Sequence, residues 1–253
     1  METRKFSRFM AMAVALIIAS LACGQQVTGV SPSAVPQTES ALPTETSIPG
    51  STTAPDVSAT QQQESILADV QKYYEKGYLP STSGEYYHLD DFTRELAEIH
   101  RPSFLLTGHE VKDFMIRADL EWDSAAQFPE EPSGCGFAFR YQDNGDTYIF
   151  VLDNHAVWMI AWDASAEKLR RLGITTGTGL VNLERPAKAN IKLFVNEIRT
   201  FVVVNGLFIG EYSLYTEKIL DKGILAYAVV SGTNKDYGTR CTMTNVDLWM
   251  VSP

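Results

Sequence analysis

Three carboxylates, Asp119, Glu121 and Asp123, alternate along one stretch of the chain. In an extended strand alternate side chains share a face, so the three line up on one side. Paired carboxyls are the equipment of glycoside hydrolysis, which needs them about 5 Å apart for retention and somewhat farther for inversion. The plainer use of the same pattern is the solvated face of a half-buried strand. That is the reading taken, and no catalytic residue is assigned.

Other reactive types are scattered. His88, His100, His109 and His155 have no metal-ligand spacing, and no Gly-x-Ser-x-Gly turn is present to strain a nucleophile. The Gly-rich run from Gly173 to Gly179 precedes no helix, so it reads as a flexible loop rather than a phosphate cradle. Asp143, Asn144 and Asp146 carry oxygens suited to calcium. The same residues suit a tight turn, because Asx side chains tolerate positive φ, and the turn is the reading taken.

Aromatic and charged residues carry the remaining signal. Trp158, Ile160 and Trp162 share one face of an alternating run, with Met159 and Ala161 on the other. Such a face is either core or a stacking platform for sugar rings. Arg140 interrupts the apolar run Phe137 to Tyr141, so it needs a partner or a cleft. An ion pair with Glu121 or Asp119 on an adjacent strand is expected. The functional alternative gathers Arg117, Glu121, Arg140 and Tyr148 around Trp158, above a small-residue floor of Gly136 and Ala138. These five residues are the candidate ligand site.

The elements that must position them are mostly strands. Phe114, Ile116, Ala118, Leu120 and Trp122 alternate with polar residues, and strand-like runs follow at 135–142, 146–152, 155–162, 188–195, 198–204, 207–212, 223–231 and 242–250. Their punctuation is hairpin chemistry: Asp143-Asn144-Gly145-Asp146, Asp153-Asn154, Asn196-Glu197 and Asn205-Gly206. Two helices are expected before them. Ile66, Val70 and Tyr73 form one stripe ending at Gly77, and Leu89, Phe92, Leu96 and Ile99 form another between Asp90 and His100. Short strands with almost no helix between them indicate an antiparallel β-sandwich.

The order Phe114 to Trp122, Gly134 to Phe150, Ala189 to Val195, Phe201-Val202-Val203-Val204-Asn205-Gly206 and Gly223 to Ala226 is similar to concanavalin-A-like jelly rolls, including laminin-G-like domains. The likeness covers residues 104–251 and implies an all-β jelly roll with one or two short N-terminal helices. Glycoside hydrolases of this fold resemble a strand bearing Glu-x-Asp-x-x-Glu, and Asp119-Leu120-Glu121-Trp122-Asp123 lacks its first and last Glu. In such jelly rolls the last strand lies beside the first long strand, which neighbours the Gly-x-Gly-Phe strand. That layout implies a disulfide between Cys135 and Cys241, the single pairing open within the exported domain.

The N-terminus states an address. Arg4, Lys5 and Arg8 precede an uncharged apolar run from Phe9 to Ala22, too short for a comfortable membrane span. The run ends Ala19-Ser20-Leu21-Ala22-Cys23, which resembles a bacterial lipobox with Ser20 where Leu is usual. The resemblance implies lipidation of Cys23; an ordinary secretory signal cut nearby is the alternative. From Gly24 to Gln63 the chain has no aromatic residue, no Lys and no Arg, and Pro recurs among Ser, Thr and Gln. Such a segment cannot offset its ordering entropy and reads as a disordered tether. The chain divides into a signal (1–22), a tether (23–64) and a folded domain (65–253).

Charge excludes one partner class. With 21 Lys+Arg against 31 Asp+Glu the net charge is −10, which is unsuited to a phosphate backbone. The expected protein is an extracytoplasmic lipoprotein of the cell envelope displaying a non-catalytic, lectin-like module for carbohydrate or another surface ligand. No cofactor is expected beyond a possible calcium ion. A glycan hydrolase or lyase and a structural envelope protein are the alternatives.

Overall fold

The alternation from Phe114 to Ser124 produces the longest of the early strands. Its even positions Phe114, Ile116, Ala118, Leu120 and Trp122 all enter the main core, while Arg117, Asp119, Glu121 and Asp123 stay partly exposed. A computed structural model describes residues 57–125, 132–176 and 185–252. The signal segment, Cys23 and most of the tether lie outside these described residues.

One helix leads the fold, α1 (Val57–Tyr74). Thirteen strands follow: β1 (Gly84–Leu89), β2 (Phe92–Leu96), β3 (Ser103–Val111), β4 (Phe114–Ser124), β5 (Gly134–Tyr141), β6 (Thr147–Asp153), β7 (Ala156–Asp163), β8 (Lys168–Thr176), β9 (Ala187–Asn196), β10 (Arg199–Val204), β11 (Leu207–Ser213), β12 (Gly223–Val230) and β13 (Thr239–Val251). Their ladders are antiparallel and form two sheets. The first has the order β1-β13-β4-β9-β10-β11 with β2 also on β13, and the second has the order β3-β12-β5-β6-β7-β8. The two inner faces enclose the core, giving the expected all-β jelly-roll sandwich.

Three expectations are corrected. The second helix is absent: β1 and β2 lie end to end along β13, on either side of Asp90 and Asp91. Leu89 and Phe92 both reach the core, and Phe92 stacks on Tyr227 with ring centroids 4.7 Å apart. The break between the strands inserts the offset that mimics a helical stripe. Second, Gly173 to Thr176 form the end of edge strand β8 rather than a flexible loop; residues 177–179 lie outside the described part. Third, α1 starts at Val57, inside the span expected to be tether.

The disulfide is present, with S–S 2.00 Å and Cα–Cα 5.6 Å. Its setting differs from the implied layout. β13 does lie beside β4, but Cys135 sits on β5 in the opposite sheet. Both sulfurs are buried in the main core, so the bridge staples one sheet to the other.

The helix has a clear docking reason. Ile66, Val70 and Tyr73 pack on Met115, Phe194, Phe201, Val203 and Trp249, a second apolar cluster on the outer face of the seven-stranded sheet. Gly77, at φ 76°, ends the turn that follows, its N–H donating to Tyr74 O at 2.8 Å.

Candidate functional site

The five residues expected to surround one ligand do not share a site: Arg117 and Glu121 lie on the outer face of one sheet, Tyr148 and Arg140 meet at Leu220 inside the sandwich, and Trp158 lies on the outer face of the other sheet. Arg117 lies on the outer face of the seven-stranded sheet. Its Nε and Nη2 donate to Asp247 Oδ2 at 3.0 and 2.9 Å, and Nη1 reaches Asp69 Oδ2 of α1 at 3.1 Å. Lys192 Nζ meets both oxygens of Asp69 at 2.7 Å. Arg117 is therefore part of the clamp that holds the helix. Asp247, almost fully buried, also accepts from Tyr86 Oη and contacts His88 Nδ1, each at 2.8 Å. Burial, and then this carboxylate, push the Tyr86 phenol up to about 12.

Glu121 lies farther down the same face, paired with Lys188 at 2.8 Å. Tyr148 points the other way, into the core, where its Oη donates to Leu214 O at 3.0 Å and accepts from Leu220 N at 3.2 Å. It is a structural tyrosine holding the segment between β11 and β12.

Arg140 is only 1% exposed and has neither expected partner. Nη1 donates to Leu220 O at 2.8 Å, and Nη2 donates to Lys112 O at 3.0 Å and Glu197 O at 2.6 Å. Asp113 Oδ1 stands 3.7 Å away. The residue takes a left-handed backbone, φ 56°, at the irregularity where β5 leaves β12. One guanidinium thus gathers three loops at one end of the sandwich. Burial pulls it below its ordinary pKa, with Asp113, Tyr148 and Asp221 acting in the opposite direction. A cleft of about 940 Å³ opens beside it, walled partly by Ile198 and Ile219 and crossed by the Lys112–Asp221 and Lys222–Glu110 ion pairs.

Trp158 remains as the aromatic candidate. It lies on the outer face of the six-stranded sheet, opposite Val151 on β6 and Ile174 on β8. Its neighbours on that face form a third apolar cluster: Ala138, Ile149, Val151, Ile160, Trp162, Ala226, Ala228 and Val230. The small-residue floor expected at Gly136 and Ala138 continues across the ladder into Ala228 and Ala226. Trp162 is 8% exposed and belongs to this cluster, whereas Trp158 is only half-buried. The Trp158 indole is held in place. Its Nε1 donates to Asp153 Oδ2 at 2.8 Å, while Asp153 Oδ1 accepts from the His155 and Ala156 N–H groups, each at 2.7 Å. In the same turn Asn154 Oδ1 is shielded and has no partner among the described residues. Asp153 is therefore what orients the Trp158 indole, although the Asp153-Asn154 dipeptide reads only as hairpin punctuation.

The Asp143–Asp146 loop closes as a turn. Gly145 has φ 89°, Asn144 Oδ1 accepts from Asp146 N, and Asp146 Oδ2 is taken by Asn144 Nδ2 and Lys218 Nζ. The lysine, chiefly, holds the Asp146 carboxyl below its ordinary pKa.

No protein family matches the chain, and no curated protein matches it. Among solved structures it is similar to a carbohydrate-binding module, CBM66, from Bacillus subtilis (13% identity, 65% of this chain and 95% of that one, TM-score 0.43). It is also similar to the Crh5 transglycosylase (7%, 64% and 72%, TM-score 0.42) and to sheep galectin-11 (11%, 64% and 98%, TM-score 0.36). These are distant likenesses of layout; the sandwich itself stands on its own strand pairing.

Proposed function

We propose that this is a non-catalytic carbohydrate-binding module, exported and lipid-anchored through Cys23, that takes its ligand against Trp158 on the outer face of the six-stranded sheet. The observation that carries the reading is the half-buried indole locked by Asp153. A rigid, partly exposed ring offers a stacking surface at little entropic cost, and the buried carboxylate fixes its orientation. Catalysis has less support, because the carboxylates that could form a pair have other partners: Glu121 has Lys188, and Asp119 has two asparagine amides at 2.9 and 2.8 Å.

The full chain, purified from membranes in detergent, is tested on a glycan array beside Trp158→Ala. The expected result is binding to a subset of glycans that the variant loses by tenfold or more. Equal binding by the variant sinks the assignment of the site. Palmitate labelling tests the anchor, and labelling that persists in Cys23→Ser removes it.

A further inference from the structure

The outer face of the seven-stranded sheet is divided in two. Its upper half, from Met115 to Trp249, is apolar and covered by α1, and the row Asp247–Arg117–Lys192 closes that half with ion pairs to the helix. Below that row the face turns polar. Thr244, Asp119 and Asn190 form the next row across β13, β4 and β9, and Thr242, Glu121 and Lys188 form the one after. Together they line an open groove of about 380 Å³, within the roughly 300–1,000 Å³ typical of small-molecule sites.

The groove is organised beyond what a solvated face requires. β13 bulges between Thr244 and Asp247, and Asn245 sits there in a left-handed conformation, φ 53°. A bulge re-aims a side chain, and here Asn245 Nδ2 donates to Asp119 Oδ2 at 2.8 Å. From the other flank Asn190 Nδ2 donates to Asp119 Oδ1 at 2.9 Å. Asn190 is itself set by Asn205, whose Oδ1 accepts the Asn190 N–H at 2.9 Å. The Asp119 carboxylate is thus held by amides from both neighbouring strands, and each oxygen keeps a lone pair for one more donor. The Thr244 hydroxyl has no partner among the described residues.

We infer that this groove is a second saccharide-binding site, independent of Trp158, in which Asp119 accepts two neighbouring hydroxyls of a neutral sugar. It borrows from the function proposed above only the class of ligand, since its residues lie on the opposite sheet. The lining selects that class. Among the described residues it offers no exposed aromatic or large aliphatic side chain for an apolar ligand. Its two carboxylates disfavour phosphates, and Lys188 beside Glu121 opposes a metal cation. Vicinal hydroxyls match a carboxylate with two open acceptor positions, and amides and Thr244 extend the same pattern.

The test is NMR titration of the full chain in detergent with the methyl glycosides of glucose, galactose, mannose and N-acetylglucosamine. At least one glycoside is expected to shift the Asn190 and Asn245 side-chain amide signals in wild type and in Trp158→Ala. Asp119→Asn, which keeps the side-chain shape but replaces one acceptor oxygen with a donor, is expected to weaken that response at least tenfold, and Thr244→Val, which leaves the Asp119 network in place, is expected to weaken it less without moving the melting temperature. Amide signals that no glycoside moves overturn the inference, as does a response unchanged in Asp119→Asn. A shift confined to the Trp158 indole also overturns it while sparing the first site. A shift confined to the amides does the reverse.

Discussion

At the scale of single residues, Arg140 has the largest consequence. Its guanidinium satisfies the carbonyls of Lys112, Glu197 and Leu220, which lie in three different connections. Arg140→Ala strands those carbonyls, and the expected loss is about 3–5 kcal/mol in denaturant unfolding. That the residue is special was legible from a charge inside Phe137 to Tyr141. Its partners were not, because main-chain oxygens carry no side-chain signature. Tyr148 was misread for the same reason: its partners are the carbonyl of Leu214 and the N–H of Leu220. Two phenols, Tyr227 buried and Tyr86 half-buried, add a pH prediction. Tyr86 and Tyr227 are both raised to about 12, chiefly by burial, so their neutral forms favour the fold. That stability is fully present below about pH 10, the ordinary tyrosine value, and is lost as pH rises toward 12. Tyr86→Phe is expected to flatten part of this alkaline loss in melts recorded from pH 9 to 12.

At the scale of elements, legibility followed burial for most strands, while edge strand β11 was readable from the Asn205-Gly206 turn before it. Central strands β4, β5, β6, β7 and β9 have one or both faces buried, and their alternation or apolar runs show it. Edge strands β3 and β8 are partly exposed along their length, so neither produces a clean period of two. In β8, Gly173 serves packing: a Cβ there would lie 2.4 Å from the Tyr212 ring. The helix expected near Phe92 failed because two short strands broken at Asp90 and Asp91 present apolar residues at helical intervals. The candidate site suffered more, since residues that look adjacent along the chain face opposite sides of a sandwich. The inter-sheet bridge was foreseen as a pair but not as a staple between sheets. Because 106 residues separate its cysteines, Cys135→Ala with Cys241→Ala is expected to cost about 4–5 kcal/mol in urea unfolding.

At the scale of the whole molecule, α1 belongs to the same compact unit as the sandwich. A fragment starting at residue 65 therefore cuts the helix in the middle. Deleting residues 57–74 is expected to uncover Met115, Phe194, Phe201, Val203 and Trp249. The readout is a rise in binding of a hydrophobic dye and aggregation on mild heating, compared with the full chain. Asp69→Asn, which keeps the helix but weakens its pairing with Arg117 and Lys192, should give a smaller rise.

The same helix decides how the molecule meets force. The chain enters the sandwich through Val57, so a pull on its N-terminal side arrives first at the docked helix and not at any β-ladder. Peeling α1 breaks the Asp69 contacts and the Ile66, Val70 and Tyr73 packing one turn at a time, while the sheets beneath stay cross-linked by Cys135 and Cys241. If the N-terminal segment is anchored as proposed, the helix would give way before the sandwich does, and Trp158, on the other sheet, would stay in place.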